Sequence, residues 1–377
     1  IIKNISKFKI ENSIIIPIII FLIISVISIF STRNLLGQEF QNLWIKQIVW
    51  YLIGFGISFT IMALGNKFLY NNAYIFYTIG VISLILVLLF GKEVNNAKCW
   101  FSIPFIGTLQ PSEFMKIFLI IALSRMITDF NNKYSNPDIT EEFKFLLKVL
   151  IIVLIPSILT FIEPDTGAVI MYLIITITML FIGGIRKRWF VIIISLFIVF
   201  LGSFLGIYFL NQKLFIKIFG TSFFYRIDRI LNWTNSSGLQ LNNSLIAIGS
   251  SGFTGHGFNN TPIYFPEMQT DFIFSVFVSN FGLIGGFILI SLIIYFDEVL
   301  ISTVNKTENL TDKYAIGGIV AVLVFQQIYN ISMTLGLLPI MGITLPFISY
   351  GGSSLLSYMI LLGIIFNVSN ASLRYTN

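Results

Sequence analysis

Tyr264-Phe265-Pro266-Glu267-Met268-Gln269-Thr270-Asp271-Phe272-Ile273-Phe274 is where a polar interruption, running from about Leu210 to Thr270, gives way to apolar sequence again. On either side the chain consists of apolar runs of roughly 20 residues, long enough to cross about 30 Å of hydrocarbon as helices. Ionisable groups are costly in hydrocarbon, so a carboxylate at its rim points to polar chemistry beside a lipid-borne substrate. Asp271 is therefore a candidate catalytic group, with an ordinary boundary residue as the alternative.

The 377 residues are 56% hydrophobic and 11% charged, with a mean hydropathy of +0.89, which excludes an ordinary soluble surface. Short alternating segments of the kind a membrane barrel needs are not evident. The fold class is all-α: a polytopic membrane protein of about ten helices. They are expected near 13–31, 46–65, 70–90, 111–129, 146–163, 166–184, 189–209, 271–296, 314–335 and 351–369. The net charge of +6 is scattered singly among apolar runs, unlike a nucleic-acid-binding face. The single Cys99 excludes an intramolecular disulfide, and no Cys/His cluster offers a zinc site.

Lys and Arg in short loops set orientation. With the N-terminus inside, inner loops hold most of the cations, including Lys133, Lys144, Lys148, Arg186, Lys187 and Arg188. The short outer loops hold only Arg33, Lys46, Lys92 and Lys98. Both termini are therefore expected in the cytoplasm, with 210–270 a large extracytoplasmic loop in one membrane domain spanning 1–377. The inner segments 130–145 and 297–313 read as solvated connectors. The outer loop carries Tyr225-Arg226-Ile227-Asp228-Arg229, an amphipathic run from Leu239 to Ile248, and Gly249, Gly252, Gly255 and Gly257. Glycines at that density allow close backbone approach, or simple flexibility. His256, the only histidine, lies among them and reads as exposed.

Three more clusters stand out. In Gln110-Pro111-Ser112-Glu113-Phe114-Met115-Lys116, Pro111 suits a first helical turn, and Glu113 and Lys116 share a face and can pair. The pair is either an internally neutralised cap or part of a polar path. Glu163-Pro164-Asp165-Thr166-Gly167 places two carboxylates in a tight turn, able to bind a cation or to hold the bend through backbone hydrogen bonds. Gly336-Leu337-Leu338-Pro339 through Leu345-Pro346-Phe347-Ile348-Ser349-Tyr350-Gly351-Gly352-Ser353-Ser354 needs non-helical backbone, as a groove wall or a plain outer turn.

Together these residues resemble the SEDS family (shape, elongation, division and sporulation) of bacterial membrane glycosyltransferases, over nearly the whole chain and in order. Asn96-Ala97-Lys98-Cys99-Trp100 with Gln110-Pro111-Ser112-Glu113 and Lys116 is similar to the family's first signature. Glu163-Pro164-Asp165-Thr166-Gly167 is similar to its Gln-Pro-Asp-x-Gly element. Ala247 to Gly252, Pro266-Glu267 and Thr270 to Phe274 resemble its large loop, and Asn330 with Gly336 to Ser354 its C-terminal signature. The rod-shape branch looks somewhat closer than the division or sporulation branch. Departures are Cys99 where Arg is usual, His256 for a basic residue, and Ser279-Asn280 for an acidic pair.

The resemblance implies polymerisation of lipid II, the undecaprenyl pyrophosphate-linked disaccharide peptide, together with a class B penicillin-binding protein. It also implies an essential carboxylate at Asp271 and a divalent cation, magnesium or manganese. In the reaction so expected, an acceptor sugar hydroxyl attacks the anomeric carbon of a lipid-linked donor and the pyrophosphate leaves. Such a displacement needs a base on the hydroxyl and positive charge near the leaving group. Asp271 is the expected base, and Glu267 assists, holds the metal with Asp271, or only shapes the turn. Lys98, Lys116, Arg226 and Arg229 are the expected pyrophosphate partners, with Glu113, Ser349 and Ser353 as further substrate-binding residues. A lipid II transporter without bond chemistry, or a scaffold that recruits the transpeptidase, are the alternatives.

Overall fold

A backbone crossing hydrocarbon must satisfy its own N–H and C=O groups, and a helix does so within the segment. The computed structural model describes residues 11–94, 97–103, 107–231 and 238–375. In order the helices are α1 (Asn12–Thr32), α2 (Leu43–Leu64), the short α3 (Asn66–Asn71), α4 (Ala73–Phe90), α5 (Pro111–Lys133), α6 (Ile139–Ile162) and α7 (Thr166–Ile182). They continue with α8 (Lys187–Leu210), α9 (Gln212–Phe219), α10 (Thr221–Leu231), α11 (Gly238–Gly249), α12 (Ile273–Lys306), α13 (Leu310–Thr334) and α14 (Gly352–Tyr375). Eight of these, α1, α2, α4, α6, α8, α12, α13 and α14, are long and apolar enough to cross a membrane.

Two further long helices, α5 and α7, fall outside that set. The apolar α7 has only 17 residues. The charges Glu113, Lys116, Arg125 and Asp129 interrupt α5, yet most of its residues are buried against α4, α7, α13 and α14. Glu113 and Lys116 are buried as an ion pair, and the more exposed Arg125 and Asp129 pair with each other at 2.9 Å nearer the far end, so α5 tolerates its charges in pairs. By contrast, only Tyr208 of α8 is buried, and most of its Ile, Val and Phe side chains are exposed.

Three expectations change. First, 130–145 and 297–313 are largely helical: α6 starts at Ile139, where Asp138 and Glu141 form a reciprocal capping box. Likewise α12 continues to Lys306, its polar end running past the apolar stretch. Second, the 210–270 segment contains the helices α9, α10 and α11, and Phe215, Phe219, Phe223 and Phe224 fold the first two onto Phe204 and Tyr208 of α8. Third, a small antiparallel sheet forms between α4 and α5, of β1 (Lys92–Val94), β2 (Ala97–Ile103) and β3 (Gly107–Leu109).

The glycine-rich turn after α11 makes close backbone contact rather than hanging free. Within α12, Gly282 leaves helical geometry (φ 66°, ψ −166°), which breaks the hydrogen-bond ladder of the helix. The freed groups pair with the turn: Leu283 N–H donates to the Gly252 carbonyl (3.0 Å) and Ile284 N–H to that of Phe253 (3.1 Å). In return, His256 and Gly257 N–H donate to the carbonyls of Ser279 (2.9 Å) and Asn280 (3.1 Å). Both φ values at the crossing, +81° at Gly255 and +66° at Gly282, suit glycine, and a Cβ on either would collide with the other strand's backbone. Gly282→Ala is expected to lower stability by about 3 kcal/mol or more, measured as a drop in thermal midpoint in detergent. Gly56→Ala, with no neighbouring atom within 4 Å of its added Cβ, should leave the midpoint unchanged or raise it slightly.

Candidate active site

Pro111 opens α5 at a position where a missing N–H costs nothing, leaving Gln110 and Ser112 at the helix start facing the α6–α7 turn. There Asp165 caps α7 through Oδ1, which accepts from Ala168 N–H at 3.0 Å. Its Oδ2 accepts from Gln110 Nε2 and Ser112 Oγ, both at 2.9 Å. Asp165 thus joins two helices as well as holding a bend. Burial pushes its carboxyl above the ordinary carboxylate range, opposed by the Ala168 and Ser112 hydrogen bonds.

The non-helical stretch between α13 and α14 is tied to its surroundings at almost every step. Ser25 Oγ donates to the Ile348 carbonyl (2.7 Å), Gln47 Nε2 to that of Ser349 (3.1 Å), and Tyr51 to that of Phe347. The buried Ser349 accepts from Leu345 N–H (2.8 Å) and donates to the Thr270 carbonyl (2.7 Å). Asn330 of α13 donates through Nδ2 to both the Asp271 carbonyl (2.8 Å) and the Ile343 carbonyl (2.7 Å). These bonds fix the Asp271 turn against the C-terminal stretch.

Around them lies a cavity of about 540 Å³. Its walls include Lys46 and Trp50 of α2, Cys99 and Trp100 of β2, Gln110 and Glu113 of α5, and Asp165. Glu267, Thr270 and Asp271 add to them, with Met341 to Thr344 and Tyr350 to Ser354. The C-terminal signature is thus a cavity wall. The Asp271 carboxylate is partly exposed there, and no described residue hydrogen-bonds to it. Burial first, and the Glu267 carboxylate second, push it up to about 7. Glu267 has a left-handed φ of 56°, accepts the Thr270 hydroxyl at 2.6 Å, and caps the turn through its carbonyl.

The other expected residues fall in different places. Glu113 lines the cavity, but Lys116 is buried beneath it, held at 2.8 Å from Glu113 Oε2, and does not reach the surface. Lys98 is exposed on β2 and outside the cavity lining. Ser349 is a buried tie, whereas Ser353 does line the cavity, joining Gln110 N–H to the Thr108 carbonyl. The backbone of Arg226 and Arg229 belongs to α10, but their side chains lie outside the described residues. Lys46 and Trp50, a cation and an aromatic at i, i+4 on α2, enter the cavity although the sequence marks Lys46 only as an outer-loop charge. Their helical spacing was the available signal.

Glu163 lies just behind this wall, fully buried, with neither carboxyl oxygen hydrogen-bonded among the described residues. Burial, then the Asp165 charge, push it up to about 8. The folded state thus keeps its proton where the unfolded chain has lost it. Stability is expected to fall as pH rises from about 4 toward 8, by at most about 1.4 kcal/mol per pH unit from this group. Glu163→Gln should flatten that decline, read as thermal midpoints across the window, and an unchanged slope would refute it.

The family model described as cell cycle protein, covering FtsW, RodA and SpoVE, matches residues 11–374. The chain is 32% identical over 340 residues to the probable peptidoglycan glycosyltransferase FtsW of Coxiella burnetii, covering 86% of each chain. It is also 32% identical over 362 residues to the peptidoglycan glycosyltransferase MrdB of Helicobacter pylori, covering 93% of this chain and 87% of that one. Its fold resembles a chain of a peptidoglycan synthase complex that coordinates polymerization and crosslinking, with TM-score 0.78 at 22% identity, covering 96% of this chain and 98% of that one. The chain belongs to the FtsW/RodA/SpoVE family.

Proposed function

We infer that this chain is a peptidoglycan glycosyltransferase that polymerises lipid II into glycan strands during cell elongation or division. The observation that carries the reading is the Asp271 carboxylate, partly exposed in a polar cavity and free of hydrogen bonds from the described residues. An acceptor sugar hydroxyl placed there loses its proton to Asp271 as its oxygen attacks the donor's anomeric carbon. The bond from that carbon to the pyrophosphate breaks, and the electron pair leaves with undecaprenyl pyrophosphate. A base whose pKa lies near working pH suits this task. In this reading both termini face the cytoplasm and the cavity opens toward the outer side. A class B penicillin-binding protein crosslinks the strands produced.

The donor set for a divalent cation is thin. Glu267 and Asp271 are the available carboxylates, Glu267 is engaged by Thr270, and no cluster of three His, Cys, Asp or Glu side chains gathers among the described residues. No step here uses a metal. The transporter reading needs a polar path through the bilayer, and beneath Glu113 and Gln326 the Lys116 side chain is packed against Met171 and Tyr358 and does not line the cavity.

Asp271→Asn in purified, reconstituted protein supplied with lipid II is expected to lose about 100-fold or more of the polymerisation rate while keeping its thermal midpoint. Normal polymer from the folded variant would remove Asp271 from the mechanism. Because the base must be ionised, kcat/KM in the wild type should rise with pH through about 7. A profile flat from pH 5.5 to 8.5, on the order of a unit and a half either side, would contradict that role.

A further inference from the structure

We propose that Lys46 on α2 is the cation that receives the pyrophosphate of the lipid-linked donor. The proposal rests on the glycosyltransferase reading and adds to it the group that stabilises the departing charge. A displacement that expels pyrophosphate places negative charge on phosphate oxygens as the anomeric carbon–oxygen bond breaks, and an unopposed anion there would stall the reaction. The cavity itself is poor in positive charge: Glu113, Asp165, Glu267 and Asp271 all line it. Lys116 neutralises Glu113 from below and stays buried, so its ammonium is spent inside the protein. Lys98 lies outside the lining. Among the described residues, Lys46 is the one Lys or Arg side chain that lines the cavity, and it makes no ion pair with them.

Its placement fits the task. Lys46 occupies the first turns of α2, one helical turn before Trp50 on the same face. Trp50 is wedged: a Cβ on Gly352 would come within 2.6 Å of its ring, and one on Gly107 within 3.9 Å. The indole therefore fixes this edge of the cavity, while the exposed lysine stem leaves a compact ammonium free to follow a moving phosphate. An ammonium binds phosphate as a point charge and tolerates such movement better than a rigid bidentate group does. The electron pair of the breaking bond goes to the pyrophosphate oxygen, the hydroxyl proton to Asp271, and the Lys46 charge stays in place throughout.

The test uses the full chain in detergent or nanodiscs, with undecaprenyl pyrophosphate and undecaprenol as probes. Wild-type protein is expected to bind undecaprenyl pyrophosphate more tightly than undecaprenol. Lys46→Gln should weaken only the pyrophosphate lipid, by about tenfold or more, and Lys46→Arg should recover most of the loss. In polymerisation assays Lys46→Gln should lower kcat and kcat/KM together. Asp271→Asn should keep undecaprenyl pyrophosphate binding while losing polymerisation. If the wild type binds the two lipids equally, the proposal falls, whereas absence of polymer from wild-type protein supplied with lipid II would remove the glycosyltransferase reading beneath it. If the wild type discriminates but folded Lys46→Gln discriminates equally well, the Lys46 assignment alone is overturned.

Discussion

Backbone polar groups within a membrane protein must find partners inside it, and this molecule leaves helical pairing at Gly282 and again between α13 and α14, where the irregular stretch lines the cavity. At Gly282 the break is repaired by a second strand of backbone, the turn from Gly252 to Gly257. Between α13 and α14 it is repaired by side chains: Ser25, Gln47, Tyr51 and Asn330 each take one or two carbonyls. The polar residues that α1, α2 and α13 carry inside apolar sequence are therefore largely structural, and they are what allows irregular chain to lie beside Asp271. Ser279 and Asn280 belong to the same repair through their carbonyls, which gives that pair a backbone role whatever its side chains are.

The electrostatics of the cavity follow from which charges are matched. Lys116 is matched to Glu113, and Asp165 is matched to hydrogen-bond donors from α5 and α7. Asp271 is matched to nothing among the described residues and has Glu267 nearby. Burial and that neighbour raise its proton affinity without a hydrogen bond to hold it down, which is the condition for a base that works near neutrality. Glu163, directly behind Asp165, has the same kind of environment but no opening to the cavity, so its raised pKa bears on stability rather than on chemistry.

Apolar run length located the long helices from sequence, since runs such as those of α1 and α8 leave little alternative. Charged ends were harder: α6 and α12 extend through residues that read as solvated connectors, because a helix continues past the hydrocarbon wherever its caps permit. The hairpin of β2 and β3 gave no periodic signal of its own, being too short and too mixed. At the site, Asp271, Glu113 and Ser353 were legible from their borders and motifs. Which way a side chain faces was not, and so Lys116 and Ser349 turned out to be internal while Lys46 turned toward the cavity. Loop membership orders residues along the membrane normal, but packing decides their direction.

The ties from Asn330 and Ser349, and the bond from Tyr350 N–H to the Gln269 carbonyl (2.9 Å), join the Asp271 turn to the C-terminal stretch. The two segments have no independent freedom: sliding one past the other would strand several carbonyls at once. They form a jaw that moves as one piece. Because Gln47 and Tyr51 tie α2 to the same jaw, any widening that admits a bulky glycan must then come from the small sheet, which meets the jaw through the Gln110–Ser353–Thr108 bonds. Growing polymer would be held against a stationary base, and the moving wall would set how much sugar fits.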